Sequence, residues 1–339
     1  MKKLKIALLS FAHVHARSYV QLLKDRDDVE FLSTDVLFGP APEDELRGRA
    51  QAEEWGAPYV ETLDEIWEWG PDAVVVQSEN VNHRPLVEAA AARGAHILCE
   101  KPLATTVADG EAMLQACADN NVFLMMAYPI HFESGVETVR ELVSSGKLGT
   151  VVGATGTNTG RIPVNRRAWF CDPEQAGGGA LVDHTVHCAE LLDYLLGSEP
   201  VKVHAVANKI FHADHPKVHT ETAGLVTVTY ANGVVATIDC SWSLLPEGPL
   251  LDGLTLEVVG SDGIASVDTF GTAVEGYASQ PGMQRLPFGP NLDGRMVEAF
   301  LEGVRTGQAP QPDGAAGLRT QRIVNGALDS FARGEAVQV

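Results

Sequence analysis

The 339-residue chain has no Cys-x-x-Cys pair; its five cysteines, at 99, 117, 171, 188 and 240, are odd in number and scattered. That excludes a disulfide framework and points to reduced thiols in a reducing compartment. Basic residues are few: 25 Lys and Arg stand against 45 Asp and Glu, for a formal charge of −20. Nucleic acids and anionic membrane surfaces require clustered cations, so both are excluded as partners. No apolar run approaches the roughly 18 residues that a bilayer span needs. The start, Met1-Lys2-Lys3-Leu4-Lys5-Ile6, is basic and then apolar. Its apolar run ends at His13 with no small-residue cleavage site, so it reads as the first strand of a cytoplasmic protein.

What is present is an alternation. Leu4 to Ser10, Val29 to Asp35, Asp72 to Ser78, His96 to Glu100 and Val122 to Tyr128 read as strands. Helices are expected from Ser18, over Glu43–Trp55, over His83–Arg93 with Gly94 as its stop, and over Val107–Asn121. A polar stretch containing Pro and Gly precedes the second helix. Strands and helices in turn, closely joined, predict a parallel sheet covered on both faces. After Tyr128 the pattern changes. A helix over Ser134–Ser145 and a strand over Gly149–Thr157 lead through an irregular loop to a helix after Gly177-Gly178-Gly179. Alternating segments follow at Val201–Ile210, Ala223–Tyr230, Val234–Trp242, Thr255–Gly260 and Ile264–Thr269. Asn232-Gly233 marks a hairpin, so this half is an antiparallel sheet. Helices over Arg295–Arg305 and Leu318–Arg333 close the chain, and the boundary between halves belongs near residue 128.

A parallel sheet of this kind binds ligands at the carboxyl ends of its strands. Those ends offer Ser10-Phe11-Ala12-His13-Val14-His15, Asp35, Ser78-Glu79-Asn80 and Glu100-Lys101-Pro102. Asp35 closes the second strand, where an acid can accept from a ribose 2′-hydroxyl and repel a 2′-phosphate; that favours NAD over NADP. The first turn lacks every glycine of Gly-x-Gly-x-x-Gly. Ser10 and Ala12 are small enough for a pyrophosphate to approach a helix N-terminus, but His15 is not. Pro102 keeps Lys101 out of the helical region, so its amine is expected to face the crevice. In the second half, Asp183, His187 and Glu190 fall on one stripe of the post-glycine helix, and a carboxylate one turn from a histidine suits a general base. The glycines themselves allow backbone to approach a ligand closely. Arg161, Asn165 and Trp169 lie in the loop before them as candidate substrate contacts, with Trp169 equally suited to stack on a substrate ring or to anchor the core.

Three separated motifs carry a family resemblance: Val74-Val75-Val76-Gln77-Ser78 with His83, Gly94 through Glu100-Lys101-Pro102-Leu103-Ala104, and Gly177-Gly178-Gly179-Ala180-Leu181-Val182-Asp183 with His187. The chain resembles the glucose–fructose oxidoreductase, inositol dehydrogenase and rhizopine-catabolism family, Gfo/Idh/MocA. The resemblance implies an α/β protein with an NAD(P)-binding Rossmann domain over 1–127, a doubly wound parallel sheet. It implies a C-terminal α+β domain over 128–339, with a large open, mostly antiparallel sheet for substrate binding and oligomerisation. The implied activity is hydride transfer between NAD, or NADP, and a hydroxyl carbon of a sugar, inositol or related polyol. Lys101, Asp183 and His187 then form the catalytic set, with Asp183 orienting His187. Ser10, Ala12, His13, Val14, Asp35, Ser78, Asn80, His83, Glu100 and Lys101 line the cofactor, and Arg161, Asn165, Trp169 and His184 the substrate. A homodimer or homotetramer through the C-terminal sheet and no metal are expected.

The chain departs from the family pattern beyond its first turn. Thr185 stands in place of Gly, Glu190 in place of Asp, and Ala127-Tyr128-Pro129-Ile130-His131-Phe132 in place of Gly-Tyr-Asn-x-Arg-Phe. Two rival readings follow. One is a metal-dependent hydrolase or isomerase, in which His13-x-His15 ends a first barrel strand and Asp183, His184, His187 and Cys188 add ligands. The other is a non-catalytic cofactor-binding protein on the same scaffold.

Overall fold

The structure, a computed structural model, describes residues 3–35, 45–246, 248, 250, 252–277 and 283–339. The polar stretch expected after the second strand, and the first residues of the helix expected from Glu43, lie outside the described residues.

The first half runs β1 (Leu4–Leu9), α1 (Ala16–Lys24), β2 (Val29–Thr34), α2 (Gly48–Trp55), α3 (Leu63–Trp69), β3 (Ala73–Val76), α4 (His83–Ala91), β4 (His96–Glu100), α5 (Val107–Asp119) and β5 (Leu124–Ala127). The strands form one parallel sheet ordered β2-β1-β3-β4-β5. The order reverses between β1 and β3, so their carboxyl ends frame the ligand crevice. β3 is buried along its whole length, as an unbroken apolar run covered on both faces should be. Helix α3 went unread in the sequence although its signal is there: Thr62 and Glu65 close a capping box.

The second half runs α6 (Ser134–Ser144), β6 (Val151–Gly160), α7 (Pro173–Ala176), α8 (Ala180–Asp183), α9 (Thr185–Leu196), β7 (Pro200–Asn208), β8 (Ala223–Tyr230), β9 (Val235–Ser241), β10 (Asp252–Gly260), β11 (Ile264–Asp268), β12 (Ala273–Tyr277), β13 (Met283–Pro287), α10 (Leu292–Thr306), α11 (Gly314–Arg333) and β14 (Val337–Gln338). Seven strands form a sheet ordered β11-β10-β6-β9-β8-β7-β14, antiparallel except for β6 beside β9. Its strands alternate buried and exposed residues, and α6, α9 and α11 cover one face. Val152, Val206, Leu225, Val235 and Ile264 remain exposed.

The halves share their cores. Val182 and Val186 around the glycine motif and Val324 of α11 pack into one face of the parallel sheet. Met296, Val297, Phe300 and Leu301 of α10 fill the other face. The first sheet is thus completed by α8, α9, α10 and α11 of the second half.

Candidate active site

The elements around the crevice each deliver polar groups. β4 ends in Glu100, Lys101 follows it, and the Lys101–Pro102 peptide is cis. Lys101 Nζ sits 2.6 Å from Asp183 Oδ1 and donates to the Asp183 carbonyl at 3.2 Å. The other Asp183 oxygen accepts from Trp242 Nε1 at 2.9 Å and lies 3.4 Å from His184 Nε2. Burial alone would raise the Asp183 carboxyl; Lys101, His184 and Trp242 instead hold it well below the usual carboxylate range.

The single polar stripe expected over Asp183, His187 and Glu190 is broken. The helix is interrupted at His184, so α8 ends at Asp183 and α9 starts at Thr185. Asp183 therefore serves Lys101, and no hydrogen bond joins it to His187, contrary to the orienting role expected. Glu190 pairs instead with His131 Nδ1 at 2.7 Å inside the second half. His187 is left with a buried Nδ1 lacking a partner and a T-shaped contact with Tyr128 at 6.1 Å. Burial, reinforced by the nearby Lys101 cation, pushes its pKa well below the ordinary value of 6.5.

The three glycines serve the protein's own packing. Gly177 caps α7 with φ +82°. A Cβ on Gly179 would lie 2.0 Å from the Glu221 carbonyl oxygen, and the Glu221 carboxylate accepts from the Gly179 and Leu181 N–H groups at 2.7 and 3.0 Å. The close approach expected of a ligand is made here by the strand connection before β8. Gly179→Ala is expected to cost about 1–3 kcal/mol, read as a lower denaturation midpoint; an unchanged midpoint would show that this packing is dispensable.

Lys101, Asp183, His184 and His187 all face one cavity of about 730 Å³, with His13, Val14 and His15 of the first turn and Arg161, Asn165 and Arg166 of the later loop. Arg161 donates to the Gly248 and Leu250 carbonyls, at 2.6 and 3.2 Å, and so also ties that loop down. His184 is fixed through Nδ1 to the Asn158 carbonyl at 3.1 Å. Arg166 was missed in the sequence, where nothing local separates it from any surface arginine.

Several expected cofactor residues are occupied otherwise. Asp35 is buried in a bidentate pair with Arg47, at 2.8 and 2.9 Å, and accepts from the Phe11 and Gly48 N–H groups at 2.7 Å each. Its oxygens are saturated, so the reading of Asp35 as a free ribose acceptor is corrected. Ser10 Oγ joins the same network, 3.3 Å from Asp35. Ser78 and Asn80 are buried, and Asn80 donates to the Ala176 carbonyl at 2.9 Å. His83 bonds the Pro102 carbonyl at 3.0 Å and does not itself line the cavity. Trp169 is not a stacking platform in the cavity. It is buried, stacks on Phe170 at 3.9 Å and donates to the Ala12 carbonyl at 3.0 Å. Arg167 donates to the Phe11 carbonyl at 3.2 Å. Residues 167–176 thus lie over the first turn.

A parallel sheet with its crevice at the β1/β3 reversal, opening on an amine and an imidazole, is the architecture of a dinucleotide-binding domain. Residues 12–128 match the oxidoreductase family with an NAD-binding Rossmann fold, and residues 136–266 the GFO/IDH/MocA C-terminal domain. The chain belongs to the Gfo/Idh/MocA family. It is 30% identical to D-xylose 1-dehydrogenase (NADP(+)) 2 of Haloferax volcanii, over 88% of this chain and 90% of that protein. It is 26% identical to 1,5-anhydro-D-fructose reductase of Ensifer adhaerens, over 86% and 88%. Among solved structures, GenD2 from gentamicin A biosynthesis in complex with NAD shares the fold, with a TM-score of 0.86 at 22% identity, covering 100% of this chain and 97% of that one. The barrel-hydrolase reading is overturned by this fold: a five-stranded parallel sheet, a seven-stranded mostly antiparallel sheet and a two-stranded β12–β13 sheet stand where eight βα repeats would be needed.

Proposed function

We propose that the chain interconverts a hydroxyl carbon and a carbonyl on a sugar or related polyol, with residues 1–127 as the cofactor domain and 128–339 as the substrate and assembly domain. The observation that carries this is the shared cavity: Lys101 from the first half and His187 from the second open on the same space, and Asp183 holds the amine in place. Its volume lies within the range of ligand pockets. The two sugar-acting relatives support the substrate class.

The residues at this end fit a nicotinamide: His13, Val14 and Lys101 would flank it, and His187 carries an unpartnered buried nitrogen. When bound, the nicotinamide supplies the hydride acceptor. His187, neutral through burial, accepts the hydroxyl proton. Lys101 stabilises the alkoxide that develops, and Asp183 fixes the ammonium rather than the imidazole. Asn165, Arg161 and His184 line the substrate side. Ser10, Ala12, Ser78 and Asn80 lie at the carboxyl ends of β1 and β3, where the rest of the dinucleotide would run. A screen of sugars, polyols and sugar acids against NAD⁺ and NADP⁺, followed by absorbance of the reduced cofactor, tests the reading. Cofactor binding without turnover on any of them would reject it.

The pH dependence has a definite sign. A lowered His187 pKa means that the imidazole loses its proton at lower pH, so the base is available across the neutral range. kcat/KM for oxidation is expected to stay level as pH falls to 6.5 and to drop only below it. An acid limb at or above 6.5 would remove His187 as the base.

We place the protein in the cytoplasm as a homo-oligomer joined through the open face of the seven-stranded sheet. Five free, buried cysteines fit a reducing compartment; among the described residues no helix is long and apolar enough to cross a membrane. Exposed Val152, Val206, Leu225, Val235 and Ile264 on one sheet favour covering by a second copy. Light scattering is expected to return a multiple of 36.2 kDa, reduced to a single chain by Leu225→Lys; a monomeric parent would contradict this.

A further inference from the structure

The glycine-free first turn has gained two histidines, and the oxidoreductase chemistry leaves their conjunction with Glu100 unused. His13 Nδ1 lies 3.4 Å and His15 Nδ1 3.1 Å from the same oxygen, Glu100 Oε1. The ligand atoms of the three residues fall within 4.8 Å of one another, the one such gathering among the described residues. The two rings stand 4.6 Å apart, edge to face at 71°. His13 Nε2 and Glu100 Oε2 are buried with no hydrogen-bond partner. Each of these two residues therefore keeps a second ligand atom that nothing in the protein engages.

We propose that His13, His15 and Glu100 bind a divalent transition-metal ion at the floor of the active-site cavity. Metal–ligand bonds of roughly 2.0–2.2 Å around one tetrahedral or octahedral ion put neighbouring ligand atoms about 3–3.5 Å apart, and both measured separations match. Two imidazoles and one carboxylate select Zn²⁺, Co²⁺, Mn²⁺ or Fe²⁺ over Ca²⁺ and Mg²⁺, which take all-oxygen sites. Three protein ligands leave coordination positions open, the mark of a site that receives a further ligand. His13 and His15 line the cavity, so the open positions face it, and an oxygen of a bound molecule completes the shell.

The surroundings supply an outer shell. Tyr19 donates to Glu100 Oε1 at 2.8 Å, and the His15 N–H donates to His13 Nδ1 at 3.3 Å, a contact that metal binding through that nitrogen would replace. Phe170 packs its ring 5.4 Å from that of His13. The neighbouring Lys101 ammonium is already neutralised by Asp183. The inference does not depend on hydride transfer: it uses only the first turn, β4 and the cavity.

The test uses the full chain stripped with a chelator and titrated with Co²⁺. One Co²⁺ per chain is expected, with visible bands of nitrogen–oxygen ligation and no thiolate charge-transfer band. His13→Gln and His15→Gln should each weaken binding by about 100-fold or more, beyond what loss of an outer-shell partner costs. A His212→Gln/His215→Gln variant, altered at half-buried positions of the loop after β7, should bind like the parent. Anomalous scattering from a Co²⁺-loaded parent crystal should place the metal among the three side chains, which decides the matter even if a histidine variant folds poorly. No stoichiometric binding, unchanged affinity in both first-turn variants, loss of binding in the loop variant, or anomalous density elsewhere would each overturn the proposal.

Discussion

His187→Ala is expected to lower kcat for alcohol oxidation by about 10²–10⁴-fold, the range a positioned general base contributes. KM should move by no more than a few-fold, because the imidazole is asked to accept a proton rather than to hold substrate. The structure supplies the reasons. His187 opens α9 where that helix meets the cavity, its Nδ1 has no internal partner, and burial keeps it unprotonated. Added imidazole should restore part of the rate, since it can occupy the vacated volume. Steady-state rates within a few-fold of the parent would end the assignment.

Lys101→Met should lose about 10²–10³ in kcat, as removal of one group stabilising a developing oxyanion does. A second effect separates this site from an ordinary surface amine. Asp183 would keep its charge in a largely buried position without its cation, at a cost of about 3–5 kcal/mol in stability. Trp242 and His184 still touch its other oxygen, which places the expected loss toward the lower end. Adding Asp183→Asn removes the stranded charge, so the double variant should regain stability but not activity. Denaturant midpoints and turnover of the two single variants and the double form a thermodynamic cycle. Full recovery of turnover in the double variant would mean that the pair acts only as a structural tie.

These two expectations differ in how far the sequence supported them. Lys101 was placed by a local rule: a proline that holds the preceding residue extended at the end of a strand. Its partner was not readable, because the helical stripe suggested that Asp183 faces His187. One interruption at His184 redirected the carboxylate across the domain interface. Asp35 shows the same limit. A strand-end acid is a sound candidate for a ribose until a buried Arg47, twelve residues on, takes both its oxygens.

The first turn was legible as an anomaly, with His13 and His15 where glycines are expected. The sequence paired them with residues of the later helix; β4 instead brings Glu100 against both. For Trp169 the sequence left stacking surface and core anchor open, and the structure makes it an anchor. Nothing in its neighbourhood indicates that the loop folds back to donate a hydrogen bond to Ala12, 157 residues earlier.

From the residues alone came the alternation of strand and helix, the change of pattern near residue 128, and the presence of an amine and an imidazole in separate motifs. These are records of local periodicity and backbone restriction, which each segment carries in itself. Which charges cancel, which polar atoms stay unmet, and which loop covers the first turn were settled by assembly. α10 closing the first sheet from far along the chain is the plainest case. A side chain's partner is whatever the packed elements put within reach, and no short stretch of sequence contains that distance.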